Sequence, residues 1–334
     1  MRLGVLSTAH MHVHSYLACL ERLPGVTVAG LYDDDAERGK ETAARFGLSF
    51  YSDAERLLDL ELDGVIVASE NVKHLPLVAL AAPRTGHILC EKPIATTLED
   101  ANRMIALCRD HGTKLQIAFP VRFAPPAQRL KEMIGEVLGS PRMGRPLSVK
   151  CSNHGKMPGG WFTDRSLSGG GAVIDHTVHV IDLLRWFFGA EVKEVYAEVG
   201  EGLLHPDLGI DDAGLLSFTL DNGLYGTLDT SWSRPQSYPT WGDVKIQILS
   251  ERGVVRADIF RQHLAVTSDR LGRTEWVHWG TNADMGLIKD FTAMISEGRE
   301  PSITGEDGLK ALEVALAAYR SAAIGEPVTL GEQS

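Results

Sequence analysis

Cysteine is scarce in this 334-residue chain: there are four, Cys19, Cys90, Cys108 and Cys151, with no C-x-x-C spacing. That excludes a disulfide-built scaffold and a thiolate metal site, and leaves reduced core residues. Positive charge is in deficit: 33 Lys and Arg stand against 44 Asp and Glu, a formal net charge of −11. A nucleic-acid partner needs a basic surface that releases counterions, so none is expected. Long apolar runs are missing too. Hydrophobic residues make up 44% of the chain, yet no stretch reaches the roughly 20 residues of a bilayer span, and no membrane partner is expected. Met1-Arg-Leu-Gly-Val-Leu6 reads directly as a strand, without the pattern of an export signal, so the expected location is cytoplasmic.

What is present is alternation. Residues 3–6, 26–32, 49–51, 64–68, 88–90 and 114–118 read as strands. Residues 10–20, 36–46, 54–60, 74–82 and 98–111 read as helices between them, with Gly47 as a stop and Asp53 as a cap. Such alternation means a parallel sheet covered by helices, a doubly wound Rossmann-type domain over 1–120. After Pro120 the pattern changes. Helix 127–138 is followed by strand-like runs at 147–154, 192–199, 213–220, 224–232, 244–249, 254–259 and 264–268. Asp221-Asn-Gly223 and Glu251-Arg-Gly253 are hairpin signals, so 121–334 is expected to be an α/β domain with a mainly antiparallel sheet. Helices at 285–297 and 308–323 close the chain, the latter with an apolar stripe through Leu309, Leu312, Leu316 and Tyr319.

The turn after the first strand is the expected phosphate site. Gly4-Val-Leu-Ser7-Thr8-Ala9 occupies the place of G-x-G-x-x-[GA], with Gly4 and Ala9 fitting and Ser7 replacing the middle glycine. Asp33, after the second strand, has the spacing of an acid that binds the adenosine ribose. Asp34 follows where an arginine could accept a 2′-phosphate, so NAD is expected rather than NADP. The plainer alternative for Asp33 to Asp35 is a solvated turn whose Asp35 caps the next helix. His10, His12 and His14 would line one face of a strand and suggest a metal. On a helix only His10 and His14 share a face, and no acid is near in sequence, so no metal is assigned. His10 or His12 could instead reach a bound nicotinamide or substrate.

The most informative run is Ser168-Gly-Gly-Gly-Ala-Val-Ile-Asp-His-Thr-Val-His-Val-Ile-Asp182, expected as one helix to Phe188. Asp175, His179 and Asp182 fall at i, i+4 and i+7 and share a face. Charged groups on a buried helix are either paired in the core or used in chemistry. Glycines at its start would let a ligand approach the backbone.

Cys90-Glu-Lys-Pro-Ile94 places a lysine at the end of the fifth strand. Glu91-Lys92-Pro93, Gly169-Gly-Gly171 and Asp175-x-x-x-His179 together resemble the Gfo/Idh/MocA family of sugar and cyclitol dehydrogenases. Val65-Ile-Val-Ala68-Ser69-Glu-Asn71 with His74, Phe119-Pro-Val-Arg-Phe123, Trp161-Phe162 and Gly305-Glu-Asp-Gly308 are similar too, so the likeness spans the chain. The resemblance implies catalytic Lys92, Asp175 and His179, with His179 the proton acceptor. It implies cofactor contacts from the first turn (Gly4, Ser7, Thr8, Ala9, His10), from Asp33, Ala68, Ser69, Asn71 and His74, and from Glu91 and Lys92. It also implies a homodimer or homotetramer. Three departures stand out: the Ser7 to His12 loop lacks the family's glycines, Pro120 replaces a polar residue, and His176 adds an imidazole.

Arg122, His154, Trp161 and His176 are the expected substrate contacts, with Trp232 and Arg234 further candidates, although tryptophans and arginines also simply cover sheets. The expected activity is hydride transfer between NAD and a secondary alcohol or ketone of a sugar, cyclitol or related polyol. Two alternatives remain: a ligand sensor that keeps the fold, and a metal-assisted enzyme using His10, His12 or His176.

Overall fold

The structure is a computed structural model that describes residues 1–136, 144–261, 263–270, 273–278 and 282–331, without the side chains of 135–136, 263–268 and 273–278. By packing, the chain forms two compact units. The first is Met1–Pro120 with Asp164–Gly169 and Asp284–Leu312; the second is Val121–Thr163, Gly170–Ala283 and Glu313–Ser334. Two later segments thus return to the first unit, which a single boundary after Pro120 does not anticipate.

In the first unit β1 (Arg2–Leu6), α1 (His12–Leu20), β2 (Thr27–Tyr32), α2 (Ala36–Phe46), β3 (Phe50–Tyr51) and α3 (Ala54–Leu58) come first. Then follow β4 (Gly64–Val67), α4 (His74–Ala81), β5 (His87–Cys90), α5 (Leu98–His111) and β6 (Lys114–Ile117). The six strands are parallel in the order β3-β2-β1-β4-β5-β6, with the switch point between β1 and β4. β4 is buried at every position, as a strand covered on both faces must be. Helix ends are set locally. Asp35 accepts the Glu37 and Arg38 amides, Thr97 accepts the Asp100 amide, and Gly47 and Gly112 end their helices at positive φ.

The second unit opens with α6 (Pro125–Glu136) and β7 (Pro146–Lys156); α7 (Arg165–Ser168) belongs to the first unit. α8 (Ala172–Phe188), β8 (Val192–Glu201), β9 (Asp211–Leu220), β10 (Tyr225–Arg234), β11 (Gly242–Ser250) and β12 (Gly253–Asp258) follow. β13 (His263–Ser268) and β14 (Arg273–His278) pair with each other. α9 (Ala283–Glu297), α10 (Gly305–Ile324) and β15 (Val328–Thr329) end the chain. The main sheet runs β12-β11-β7-β10-β9-β8-β15, antiparallel except for the β7–β10 pair. β14 has no clear alternation and β15 is two residues long, so neither is visible in the sequence. No helix among the described residues is long and apolar enough to cross a membrane.

The glycine run does not open one long helix. Gly169 ends α7 at φ 79, and α8 starts only at Ala172. No neighbouring side chain caps α8. Asp211, fully buried at the start of β9, does so from 40 residues away: Gly171 N–H donates to Oδ1 and Val173 N–H to Oδ2, both at 2.8 Å. Tyr319 O–H, on α10, donates to the same carboxylate at 3.0 Å and accepts the Ile174 amide at 3.2 Å. The space beside the glycines is therefore filled by protein. A Cβ at Gly171 would lie 1.9 Å from the Asp211 carbonyl oxygen, one at Gly170 2.3 Å from the Tyr319 hydroxyl, and one at Gly169 2.7 Å from Thr96. The stripe expected on α10 is likewise rotated: Ala311, Leu312, Ala315 and Ala318 are buried, while Leu309, Leu316 and Tyr319 are only half so.

A Gly171→Ala substitution must push β9 and α8 apart, because backbone faces the new methyl group. Overpacking of this kind costs about 1–3 kcal/mol. Urea denaturation should show that loss, whereas an unchanged midpoint and slope would contradict the close approach.

Candidate active site

The turn after β1 is built on an unusual backbone. Ser7 has φ 70, the sole positive φ of a non-glycine among the described residues, and its N–H donates to Tyr32 O at 2.7 Å. Gly4 lies inside β1, where its missing side chain makes room for Leu62, 2.8 Å from a Cβ built there. Its expected cofactor role therefore gives way to sheet packing, and the turn proper is Ser7 to Met11.

Asp33 pins that turn. Thr8 N–H and Oγ1–H both donate to its Oδ2 at 2.6 Å. Arg38 Nε donates to Oδ2 at 3.1 Å, while Arg38 Nη2, at 2.6 Å, and the Asp35 amide, at 2.9 Å, reach Oδ1. Burial alone would raise this carboxyl, but Arg38, Thr8 and the backbone outweigh it and hold it below its usual range. A carboxylate has about four acceptor sites, all used here, so a ribose diol could bind Asp33 only by displacing Arg38. Asp34 is the outward acid, paired with Lys73 at 2.6 Å and Arg38 at 3.2 Å.

Ala68, at the end of β4, accepts the His10 amide at 2.9 Å, and Ser69 is fully buried beside it. Asn71 Nδ2 donates to Ser168 O at 2.8 Å, whereas its buried Oδ1 has no hydrogen-bond partner among the described residues. His74 is held through one ring nitrogen, while its buried Nε2 has no hydrogen-bond partner among the described residues. It is fully buried, its Nδ1 lies 3.0 Å from Pro93 O and 3.2 Å from Ile94 O, and burial pushes its pKa down. It holds the chain that follows Lys92.

Lys92, 3% exposed, lies two residues past the end of β5, on the edge where a doubly wound sheet binds ligands. Its neighbour Glu91 joins the first turn: Oε1 accepts Tyr16 O–H at 2.5 Å and lies 3.1 Å from His12 Nδ1 and 3.7 Å from His10 Nδ1. Burial opposes a charge there, yet His10, His12 and Lys92 keep the Glu91 carboxyl well below its usual range. The expectation that His10 and His14 share a face is corrected, because α1 starts only at His12. His14 stacks on Phe46, and His10 meets His12 with ring centroids 4.3 Å apart.

On α8, Asp175 and His179 lie one turn apart and are nearly buried. Trp232 Nε1–H donates to Asp175 Oδ2 at 3.3 Å, and His176 Nε2 lies 3.3 Å from the same oxygen. Trp232 packs with Ala172 and Ile210 in the core, so it orients Asp175 from behind. His176 is fully buried against β7, with Nδ1 3.0 Å from Asn153 O and Asn153 Nδ2 donating to His176 O at 2.9 Å. Its placement supports Asp175 and corrects the expected substrate contact. Asp182, the third residue of the expected face, holds Arg122 instead, by a buried bidentate pair at 2.8 and 2.6 Å. Arg122 thus anchors α8 rather than presenting a free guanidinium to substrate.

His154 is also displaced from its expected role. Residues 149, 151, 153 and 155 of β7 are buried on the α8 side, so His154 lies on the opposite face. There it pairs with Asp229 at 3.1 Å and Asp243 at 3.6 Å. Burial would lower its pKa, but the two carboxylates raise it to about 9. Trp161 is half-buried and stacked on Phe162, with centroids 3.9 Å apart.

The residues of the first unit fit a dinucleotide. The parallel sheet has its switch point at β1, the turn runs from a positive-φ Ser7, and the buried Asn71 Oδ1 lacks a protein donor. Comparison with known proteins agrees. Residues 3–119 match a model described as an oxidoreductase family with an NAD-binding Rossmann fold, and 128–256 match the GFO/IDH/MocA C-terminal domain. A myo-inositol 2-dehydrogenase of Thermotoga maritima is 28% identical over 96% of both chains. An uncharacterized oxidoreductase of Rhizobium meliloti, ORF334, is 30% identical over 69% of this chain and 68% of its own. GenD2, from gentamicin A biosynthesis and solved in complex with NAD, shares the fold: TM-score 0.88, 23% identity, 99% of this chain and 97% of that one.

The His154 pairs make a signed prediction. Its folded pKa of about 9 exceeds the ordinary 6.5, so the stabilisation is full below about pH 6.5 and is lost as pH rises through 9. The stability difference between wild type and His154→Gln should shrink over that window in denaturant titrations. A difference that stays constant from pH 6.5 to 9.5 would contradict the pairing.

Proposed function

We propose, from the premise that this chain belongs to the Gfo/Idh/MocA family of oxidoreductases, that it oxidises a secondary alcohol of a cyclitol or sugar, or reduces the matching ketone, with NAD. The observation that carries this reading is Lys92: a lysine 3% exposed, just past the C-terminal end of β5 in an NAD-binding Rossmann sheet. A buried ammonium is costly unless it is paired or used in chemistry. The names of relatives narrow the substrate class, since they include a myo-inositol 2-dehydrogenase and a D-apiose dehydrogenase.

Bound NAD supplies the hydride acceptor, and the chain supplies the rest. The turn after β1 would lie against the phosphates, and Asn71, whose buried Oδ1 has no donor among the described residues, would hold a ribose hydroxyl. His179 takes the hydroxyl proton as the carbon loses hydride. Lys92 supplies the positive group that can stabilise a developing alkoxide. Asp175, fixed by Trp232 and His176, orients the substrate. NAD is preferred because Asp34 and Glu70 already neutralise Arg38 and Lys73, the cations that would meet a 2′-phosphate.

The sheet face opposite α8 exposes Tyr225, Leu249 and Val254 in one row across β10, β11 and β12, with Leu215 exposed further along β9, opposite Asp229. We assign it to self-association. Light scattering should give a dimer or larger species, reduced to monomer by Leu215→Asp with Tyr225→Asp; a monomeric wild type would rule this out.

For the chemistry, Lys92→Met and His179→Ala should each lower turnover on a responding cyclitol or sugar by roughly 10²–10⁴-fold. Fluorescence titration should show NADH affinity unchanged within about threefold in both, and NADPH about tenfold weaker or more, a difference of ~1.4 kcal/mol. Near-normal turnover in both variants would overturn the assignment.

A further inference from the structure

Three side chains beside the first turn have no part in the proton and hydride steps proposed above. His10 and His12 extend from that turn, and Glu91 from the end of β5, two strands away in the same parallel sheet. One donor atom from each lies within 4.8 Å of the other two. Glu91 Oε1 is 3.1 Å from His12 Nδ1 and 3.7 Å from His10 Nδ1. Ligands bound about 2.0–2.2 Å from a tetrahedral zinc-type ion stand roughly 3.3–3.6 Å apart, so the donors are already close to coordinating distance. We propose that His10, His12 and Glu91 form a binding site for one divalent transition-metal ion.

Three further observations favour it. The donor set is two imidazoles and one carboxylate, which suits zinc, cobalt, nickel or ferrous iron and leaves coordination positions open, whereas calcium or magnesium would need more oxygens. The carboxylate is held from behind, with Tyr16 O–H on Oε1 at 2.5 Å and the Lys92 amide on Oε2 at 3.1 Å, as ligating carboxylates usually are. Access is provided as well: the His10 and Glu91 side chains are buried, while that of His12 is 26% exposed, so an ion enters past His12. Binding replaces the 3.1 Å His12 Nδ1–Glu91 Oε1 contact, the 3.5 Å contact from the Tyr16 hydroxyl to His12 Nδ1 and the 3.2 Å contact from the His12 amide to His10 Nδ1. His14 is excluded from the set by its stacking on Phe46. The competing occupant is a proton on His12, which would make the cluster a buried ion pair.

The test uses the full-length, tag-free protein stripped with chelator and titrated with Co²⁺, read by visible d–d absorption and by competition with Zn²⁺. The expected result is one equivalent of Co²⁺ per chain, displaced by Zn²⁺. Affinity should fall at least tenfold in Glu91→Gln and His12→Asn and stay at the wild-type value in His14→Asn, with circular dichroism confirming each fold. If Glu91→Gln does not fold, the partly exposed His12 carries the comparison. No saturable band, or wild-type binding by both Glu91→Gln and His12→Asn, would overturn the site and leave the proton as occupant. NADH titration of the same samples tests the dehydrogenase reading separately, because Co²⁺ binding requires neither cofactor nor polyol.

Discussion

The buried carboxylate of Asp211 is the contact on which the seating of α8 depends. It replaces the local cap that α8 lacks, accepting two amides of the helix's first turn and the Tyr319 hydroxyl. Burial pushes its pKa up against those hydrogen bonds, so the site balances desolvation against donors and the helix dipole. Because β9 comes this close, residues 170 and 171 have no room for a side chain. Asp175 and His179 follow within two turns, so their direction is set by how Asp211 seats the helix. Arg122 fixes the same helix further along through Asp182, and Trp232 and His176 fix Asp175 itself.

In the first unit, buried charge is handled in a similar way. Asp33 ties the phosphate turn to Arg38, and Glu91 ties it to the strand that leads into Lys92. Both carboxyls stay ionised because donors and cations outweigh burial. The consequence is a turn whose side chains and backbone amides are committed within the protein, with Ser7 N–H on Tyr32 O and Thr8 N–H on Asp33.

Much of this was legible in the sequence where one local signal decided the outcome. α2 and α5 begin and end where Asp35, Gly47 and Thr97 place them, and the apolar strands of the parallel sheet needed only their composition. The EKP and D-x-x-x-H motifs marked residues that are buried: Lys92 just past β5, and Asp175 and His179 one turn apart on α8. Failures came where long-range partners decided. Nothing near Gly169 shows that Asp211, Tyr319 and Thr96 will fill the space beside the glycines. Nothing near His74, Arg122 or His176 shows that each will be taken by a carbonyl or carboxylate far along the chain. His154 was misplaced because alternation groups residues by face without saying which face α8 covers. Tyr16 offered a usable signal, being one helical turn after His12, but its partner Glu91 lies 75 residues away.

The central claim is that this chain moves hydride between a nicotinamide and the carbinol carbon of a polyol. The direct measurement is to mix the protein with NADH deuterated at the transferring position and a panel of inososes and keto-sugars, and to examine the products by NMR. The account predicts deuterium on the newly formed carbinol carbon of at least one member. Saturable NADH binding with no deuterium transfer to any member would contradict it.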